Sequence, residues 1–112
     1  MKNTKFIVKT KSKSYPIYFG NNVLNSTGKL IRKNLPGVKK IAIISDNKLP
    51  KILLRKLLKS LKSYDVELFK LSANEKNKSL SVANKIIQKL LKKNFNRSDC
   101  LIAFGGGILG DL

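Results

Sequence analysis

The residues with the most chemical content form the glycine-rich stretch Gly105-Gly106-Gly107-Ile108-Leu109-Gly110-Asp111. Its first, third and sixth residues have the spacing G-x-G-x-x-G, directly after the apolar run 100–104 (CLIAF). Glycine at such a turn lets backbone N–H groups approach a pyrophosphate, because no Cβ stands in the way. The pattern predicts a phosphate-binding turn, and a turn that needs glycine only for packing is the alternative reading.

Composition excludes several other kinds of site and several classes of protein. The sequence has no His and a single Cys, which argues against a closed zinc site or an internal disulfide framework. No apolar run approaches the roughly 18 residues that span a bilayer. The N-terminal residues lack the apolar core of a secretory signal. We therefore expect a cytoplasmic protein without a membrane partner.

The positive charge is large, with 24 Lys and Arg against six Asp and Glu, a formal net charge of +18. Such a value is typical of nucleic-acid-binding proteins. Of the basic residues, however, 21 are Lys and three are Arg, and they are spread along the whole chain. Asn and Ile are also abundant, at 11 each, which indicates a coding bias. We expect a solvated lysine surface and no nucleic-acid partner, and a basic nucleic-acid-binding module is the alternative from another class.

The elements that must position the glycine-rich stretch follow from the apolar patterns. Two short β-rich runs, 5–10 and 15–20, predict a hairpin, in which Pro16 favours an edge position. A short helix is expected over about 27–34, before Pro36-Gly37. The run 40–45 (KIAIIS) predicts a strand buried on both faces, as in a parallel sheet.

Helices and strands alternate after this run. Leucines 54, 57, 58 and 61 form one helical face after Pro50, and 65–71 (DVELFKL) predicts a strand. A second apolar stripe, ending near residue 93, predicts a helix capped by Ser79 or Ser81. The strand 100–104 then leads into the glycines. This alternation predicts a parallel sheet with right-handed crossovers.

A phosphate-binding turn works together with a helix whose N-terminus faces the phosphates. That helix would begin near Leu109, and the sequence contains only four residues from that position on, 109–112. We therefore expect residues 1–112 to be the N-terminal part of a longer protein. The expected fold class is α/β: an incomplete Rossmann-like parallel-sheet domain preceded by a β-hairpin.

Several segments in one order resemble the 3-dehydroquinate synthase family. They are the stretch 15–17 (YPI), the run 41–46 (IAIISD), the loop 74–80 (NEKNKSL) and the block 99–112 (DCLIAFGGGILGDL). The resemblance covers nearly the whole chain but about the first third of such an enzyme. The G-G-G-x-x-G-D-L block is its most specific part.

The resemblance implies an NAD-binding N-terminal α/β domain and a C-terminal helical domain, absent here, that binds a divalent metal, zinc or cobalt. It implies a lyase of the shikimate pathway, in chorismate and aromatic amino acid biosynthesis. The substrate is 3-deoxy-D-arabino-heptulosonate 7-phosphate, and the products are 3-dehydroquinate and phosphate. NAD would be regenerated in each cycle. Metal ligands and catalytic residues would lie beyond residue 112, so the 112-residue chain would be inactive alone. Family members are commonly homodimers.

The resemblance also implies roles for individual residues. Asp46 matches the acidic residue that holds the adenosine ribose hydroxyls, and Glu75 and Lys78 match a loop that contacts the nucleotide. The pyrophosphate turn corresponds to Gly106, Gly107, Ile108, Leu109 and Gly110. Asp111 matches the acidic residue beside the nicotinamide ribose. From the residues alone, the alternative reading of Asp46 is a turn residue that caps a helix, and that of Glu75 and Lys78 is a solvated loop pair.

Some positions depart from the family pattern. Lys48 stands where many members have Asn, Asn74 replaces a usual Gly, and Ala73 replaces a common Asp. These changes affect the expected adenosine contacts and leave the pyrophosphate turn intact. The rival within the same broad fold is a metal-dependent polyol or alcohol dehydrogenase, or a cyclitol synthase, since these share a GGG turn.

Overall fold

A computed structural model describes residues 4–9, 11, 14–20, 23–71, 80–96 and 98–105 of the 112-residue chain. Strands β1 (Thr4–Lys9) and β2 (Ser14–Phe19) pair antiparallel as a separate two-stranded ribbon. Pro16 lies opposite Ile7. Both strands are edges, so the missing N–H of Pro16 does not interrupt a larger sheet. The predicted hairpin is confirmed, with each strand beginning and ending one residue earlier than expected.

A 3-10 turn (Leu24–Ser26) leads into helix α1 (Thr27–Asn34), and the turn was not predicted. The start of α1 packs tightly against the end of helix α2 (Lys51–Ser60). The Gly28 backbone N–H donates to Ser60 Oγ at 2.7 Å, which satisfies one of the free amides of the first helical turn. A Cβ at Gly28 would collide with the Ser60 carbonyl oxygen, so this contact requires glycine.

The core sheet has three parallel strands in the order β4-β3-β5. They are β3 (Lys40–Asp46), β4 (Asp65–Leu71) and β5 (Cys100–Phe104), and helix α3 (Leu80–Lys92) connects β4 to β5. The central strand β3 is buried from Ile41 to Ser45, as its continuous apolar run predicts. The predicted fold class is confirmed for the sheet, and both crossover helices form where leucine and isoleucine stripes indicate them.

The two helices cover opposite faces of β3, because its side chains alternate between the faces. Ile41 and Ile43 pack in one cluster with Leu57 and Leu61, at the end of α2. Ile44 packs in a second cluster with Ile86 of α3. Right-handed crossovers that step in opposite directions along the sheet, from β3 to β4 and from β4 to β5, place their helices on opposite faces in this way.

The start of α3 differs from one of the two capping predictions. Ser81 lies inside the helix, which begins at Leu80, so Ser81 is not its N-cap. Ser79 lies outside the described residues. The far end of α3 is closed by Asn94, whose φ of 64° is left-handed, and the Phe95 N–H donates to the Leu90 carbonyl at 3.0 Å.

Candidate dinucleotide-binding site

All three core strands end at one edge of the sheet, since they are parallel. The last pairs at this carboxyl edge are Asp46 with Leu71 and Ser45 with Phe104. Asp46 is therefore the last residue of β3, and Gly105 follows β5 one position beyond the last pair. The segment 72–79, which contains Glu75 and Lys78, follows β4 along the chain. Three predicted ligand segments thus leave the sheet from a single edge.

The order of the strands is one at which open α/β sheets form a ligand-binding crevice at this edge. The crossover from β3 to β4 moves to one side of β3, and the crossover from β4 to β5 moves to the other side. Where neighbouring connections diverge in this way, ligands of open α/β sheets bind outside the carboxyl ends of the strands. The divergence lies between β3 and β5, with Asp46 on one flank and Gly105 on the other.

Asp46 is held in a tight turn. One carboxylate oxygen, Oδ1, accepts the backbone N–H of Lys48 at 2.9 Å, and the Asp46 carbonyl accepts the N–H of Leu49 at 3.2 Å. The Asn47 N–H donates to the Leu71 carbonyl at 2.8 Å, which fastens the turn to β4. The Asp46 side chain is only half-buried, so a carboxylate fixed in direction stays accessible to a ligand hydroxyl.

The capping alternative for Asp46 is wrong in one respect. Helix α2 has Pro50 as its N-cap, with φ of −56° and ψ of 135°, and no side chain caps it. Asp46 therefore organises the turn before α2 without capping the helix. A turn role and a ligand role are compatible here, because the turn contact uses one of the two carboxylate oxygens.

A small cavity of about 70 Å³ adjoins Asp46. Its lining includes Ser45, Asn47, Lys51 and Lys70. Ser45 is 2% exposed, and its hydroxyl contacts the Asp46 carbonyl at 3.4 Å. The two lysines make this flank favourable for an anionic ligand group. Sequence reasoning missed Lys51 and Lys70, because two lysines among 21 carry no distinguishing pattern. Ser45 did carry a signal, as a hydroxyl that ends an apolar run.

The remaining predicted ligands lie outside the described residues. They are Glu75, Lys78, Gly106, Gly107, Ile108, Leu109, Gly110 and Asp111. Their roles stay predictions, and the structure supplies the strand ends from which their segments depart.

The described residues contain no group of three or more His, Cys, Asp or Glu side chains close enough to hold a metal ion. Cys100 lies at the amino end of β5, away from the crevice, and burial raises the pKa of its thiol. That thiol is a half-buried packing group and a poor nucleophile. No described helix is long and apolar enough to cross a membrane.

Comparison with known proteins identifies the relatives of the chain. The 3-dehydroquinate synthase of Pelagibacter ubique is 43% identical over 108 residues, which is 96% of this chain and 29% of that enzyme. The 3-dehydroquinate synthase of Ruthia magnifica is 40% identical over 102 residues, 91% of this chain and 28% of that enzyme. The expected resemblance is confirmed, and the chain spans less than a third of these relatives.

A solved structure shows the same fold. The crystal structure of 2-deoxy-scyllo-inosose synthase, complexed with carbaglucose-6-phosphate, NAD+ and Co2+, superposes with a TM-score of 0.80 over 96% of this chain and 29% of that chain, at 20% identity. The sequence profile of the iron-containing alcohol dehydrogenases matches residues 15–112. The chain therefore belongs to the iron-containing alcohol dehydrogenase family.

Proposed function

We propose that this chain is the NAD-binding part of a 3-dehydroquinate synthase. The observation that carries the proposal is the strand order β4-β3-β5, which puts the ends of β3 and β5, with Asp46 and with Gly105 at the head of the glycine-rich stretch, side by side at the carboxyl edge of the sheet. The identity to two curated 3-dehydroquinate synthases, at 43% and 40%, supports this substrate chemistry over that of other family members. The whole enzyme would convert 3-deoxy-D-arabino-heptulosonate 7-phosphate to 3-dehydroquinate and phosphate.

NAD fits the described part of the site. A carboxylate aimed from a strand end suits ribose hydroxyls, and glycine at the neighbouring strand end admits a pyrophosphate against the backbone. In the proposal Asp46 binds the adenosine ribose, and Glu75 and Lys78 contact the nucleotide. Backbone amides across residues 106–110 bind the pyrophosphate, and Asp111 lies by the nicotinamide ribose.

NAD, when bound, would supply hydride transfer: it would take a hydride from the carbon that bears a substrate hydroxyl, whose proton is lost, and return the hydride later in the cycle, so that the net conversion releases phosphate without net oxidation. The contribution of this chain is to bind and orient the dinucleotide at the crevice. Zinc or cobalt would be held by residues outside this chain, where the substrate-phosphate ligands are also proposed. Homodimer assembly and a cytoplasmic location complete the proposal.

The test uses a chimaera in which this chain replaces the matched segment of the Pelagibacter ubique enzyme, called the chimaera below. Phosphate release from 3-deoxy-D-arabino-heptulosonate 7-phosphate is measured with NAD and cobalt. We expect turnover that disappears when NAD is stripped and returns when it is added back. A folded chimaera that binds NAD yet releases no phosphate would refute the assigned reaction.

The family profile also keeps a polyol or alcohol dehydrogenase, or a cyclitol synthase, as the second candidate. A dehydrogenase accumulates NADH during turnover, whereas the proposed lyase regenerates NAD in each cycle. Following NADH absorbance together with phosphate release separates the two. Phosphate release with no net NADH supports the proposal, and NADH formed from a polyol supports the alternative.

A further inference from the structure

Two lysines lie beside Asp46 on the side of β3 that faces away from β5. Lys70 is the next-to-last residue of β4 and pairs with Ser45. Lys51 is the first residue of α2. Both line the cavity of about 70 Å³ that adjoins Asp46, so this cavity combines one carboxylate with two ammonium groups.

Neither ammonium group is neutralised within the part of the chain that the structure describes. Lys51 and Lys70 are exposed, and neither has a hydrogen-bond or ion-pair partner among the described residues. Of the described residues that line the cavity, Asp46 is the one with a negative charge, and its Oδ1 already accepts the Lys48 N–H at 2.9 Å. Two positive charges thus face one negative charge, and the excess favours an anionic group over a neutral hydroxyl.

The place of the cavity in the sheet indicates which group of a dinucleotide reaches it. The glycine-rich stretch follows β5, on the other side of β3. In the proposed function the pyrophosphate lies at those glycines and the adenosine ribose lies at Asp46, so the ribose is the part of the cofactor that adjoins the cavity. An anion at this place is therefore a substituent of the ribose.

The dinucleotide that carries such a substituent is NADP, which has a phosphate on the 2′ oxygen of the adenosine ribose and keeps the 3′ hydroxyl. In dinucleotide-binding sheets an acidic side chain binds the ribose hydroxyls of NAD, and a basic side chain nearby accommodates the 2′-phosphate of NADP. Asp46 and the two cavity lysines supply both kinds of group at one strand end.

We propose that Lys51 and Lys70 form a subsite for the 2′-phosphate of NADP, so that this chain accepts NADP as well as NAD. Asp46 accepts a hydrogen bond from the 3′ hydroxyl of either cofactor. The two ammonium groups bind the phosphate as point charges and offset its repulsion by the Asp46 carboxylate. This subsite rests on the proposed function, which places the ribose at Asp46, and it extends that function to a second cofactor.

The test measures the Kd of the chimaera for NADP and for NAD by isothermal titration. The ratio of the NADP Kd to the NAD Kd is expected to be below about ten. The double variant Lys51→Gln with Lys70→Gln should raise this ratio about fivefold or more, because two exposed ion pairs with the phosphate are lost.

The control is the double variant Lys59→Gln with Lys62→Gln, which removes the same charge at the far end of α2 and just after it, where both lysines are exposed. Its ratio is expected to equal that of the parent chimaera. Comparing ratios cancels any effect of net charge on the part of the cofactor that NAD and NADP share.

The outcomes separate this subsite from the proposed function. A chimaera that binds NAD but binds NADP more than tenfold more weakly would overturn the subsite alone. The same ratio in the two double variants would also overturn it, because NADP binding would then not depend on these lysines. A folded chimaera that binds neither dinucleotide would overturn the subsite together with the proposed function.

Discussion

At the scale of single residues, Asp46 carries most of the described site. Its position after an apolar strand was predictable from the sequence, because a run of isoleucines followed by Asp is a local pattern. The bond from Lys48 N–H to its carboxylate was not predictable, since a turn contact of this kind depends on backbone angles. Lys51 and Lys70 were equally hidden, because only the folded sheet brings them beside Asp46.

Asp46→Asn in the chimaera should weaken NAD binding by about tenfold. The amide can keep the bond from Lys48 N–H, so the turn survives, while the charge-assisted hydrogen bonds to ribose hydroxyls are lost. Isothermal titration with NAD measures the effect. The matched control is Asp65→Asn, an exposed carboxylate at the amino end of β4. If the parent and Asp46→Asn bound NAD with equal affinity, Asp46 would not be a ligand of NAD.

Gly107→Val should weaken NAD binding more strongly, by about a hundredfold, because a branched side chain blocks backbone approach to the pyrophosphate. Gly37→Val is the control, since a Cβ at Gly37 meets nothing within 4 Å. The same titration compares both variants with the parent. NAD affinity unchanged in Gly107→Val would show that the glycines serve only packing.

At the scale of elements, the sequence predicted the three core strands and their helices well, because each carries a strong local period. Helix α1 begins and ends at the predicted residues, and β4 and β5 match their predicted bounds. The 3-10 turn at Leu24–Ser26 carries no such period. The contact between Gly28 and Ser60 joins residues 32 positions apart, so no local pattern could indicate it.

Gly28→Ala should destabilise the protein by about 1–3 kcal/mol, because its Cβ would push the start of α1 away from α2. Thermal unfolding followed by circular dichroism measures the loss. The control is Gly37→Ala, because a Cβ at Gly37 meets no atom within 4 Å. This variant is expected to keep the Tm within about 2 °C of the parent. A Gly28→Ala protein as stable as the parent would mean that the two helices are packed less closely than described.

At the scale of the whole molecule, the order of the strands creates the site. Alternation of helices and strands predicted a parallel sheet, but it did not specify the order β4-β3-β5, which depends on where each crossover lands. That order places the divergence of connections between Asp46 and Gly105.

The proposed function depends on NAD binding at the carboxyl edge of the sheet, between β3 and β5. Hydrogen–deuterium exchange of the chimaera, with and without saturating NAD, tests it most directly. NAD bound there should slow exchange in residues 45–48 and 104–111 and leave exchange in residues 98–101, at the amino end of β5, unchanged. Protection at the amino end, or bound NAD with no protection around Asp46 and the glycines, would contradict it.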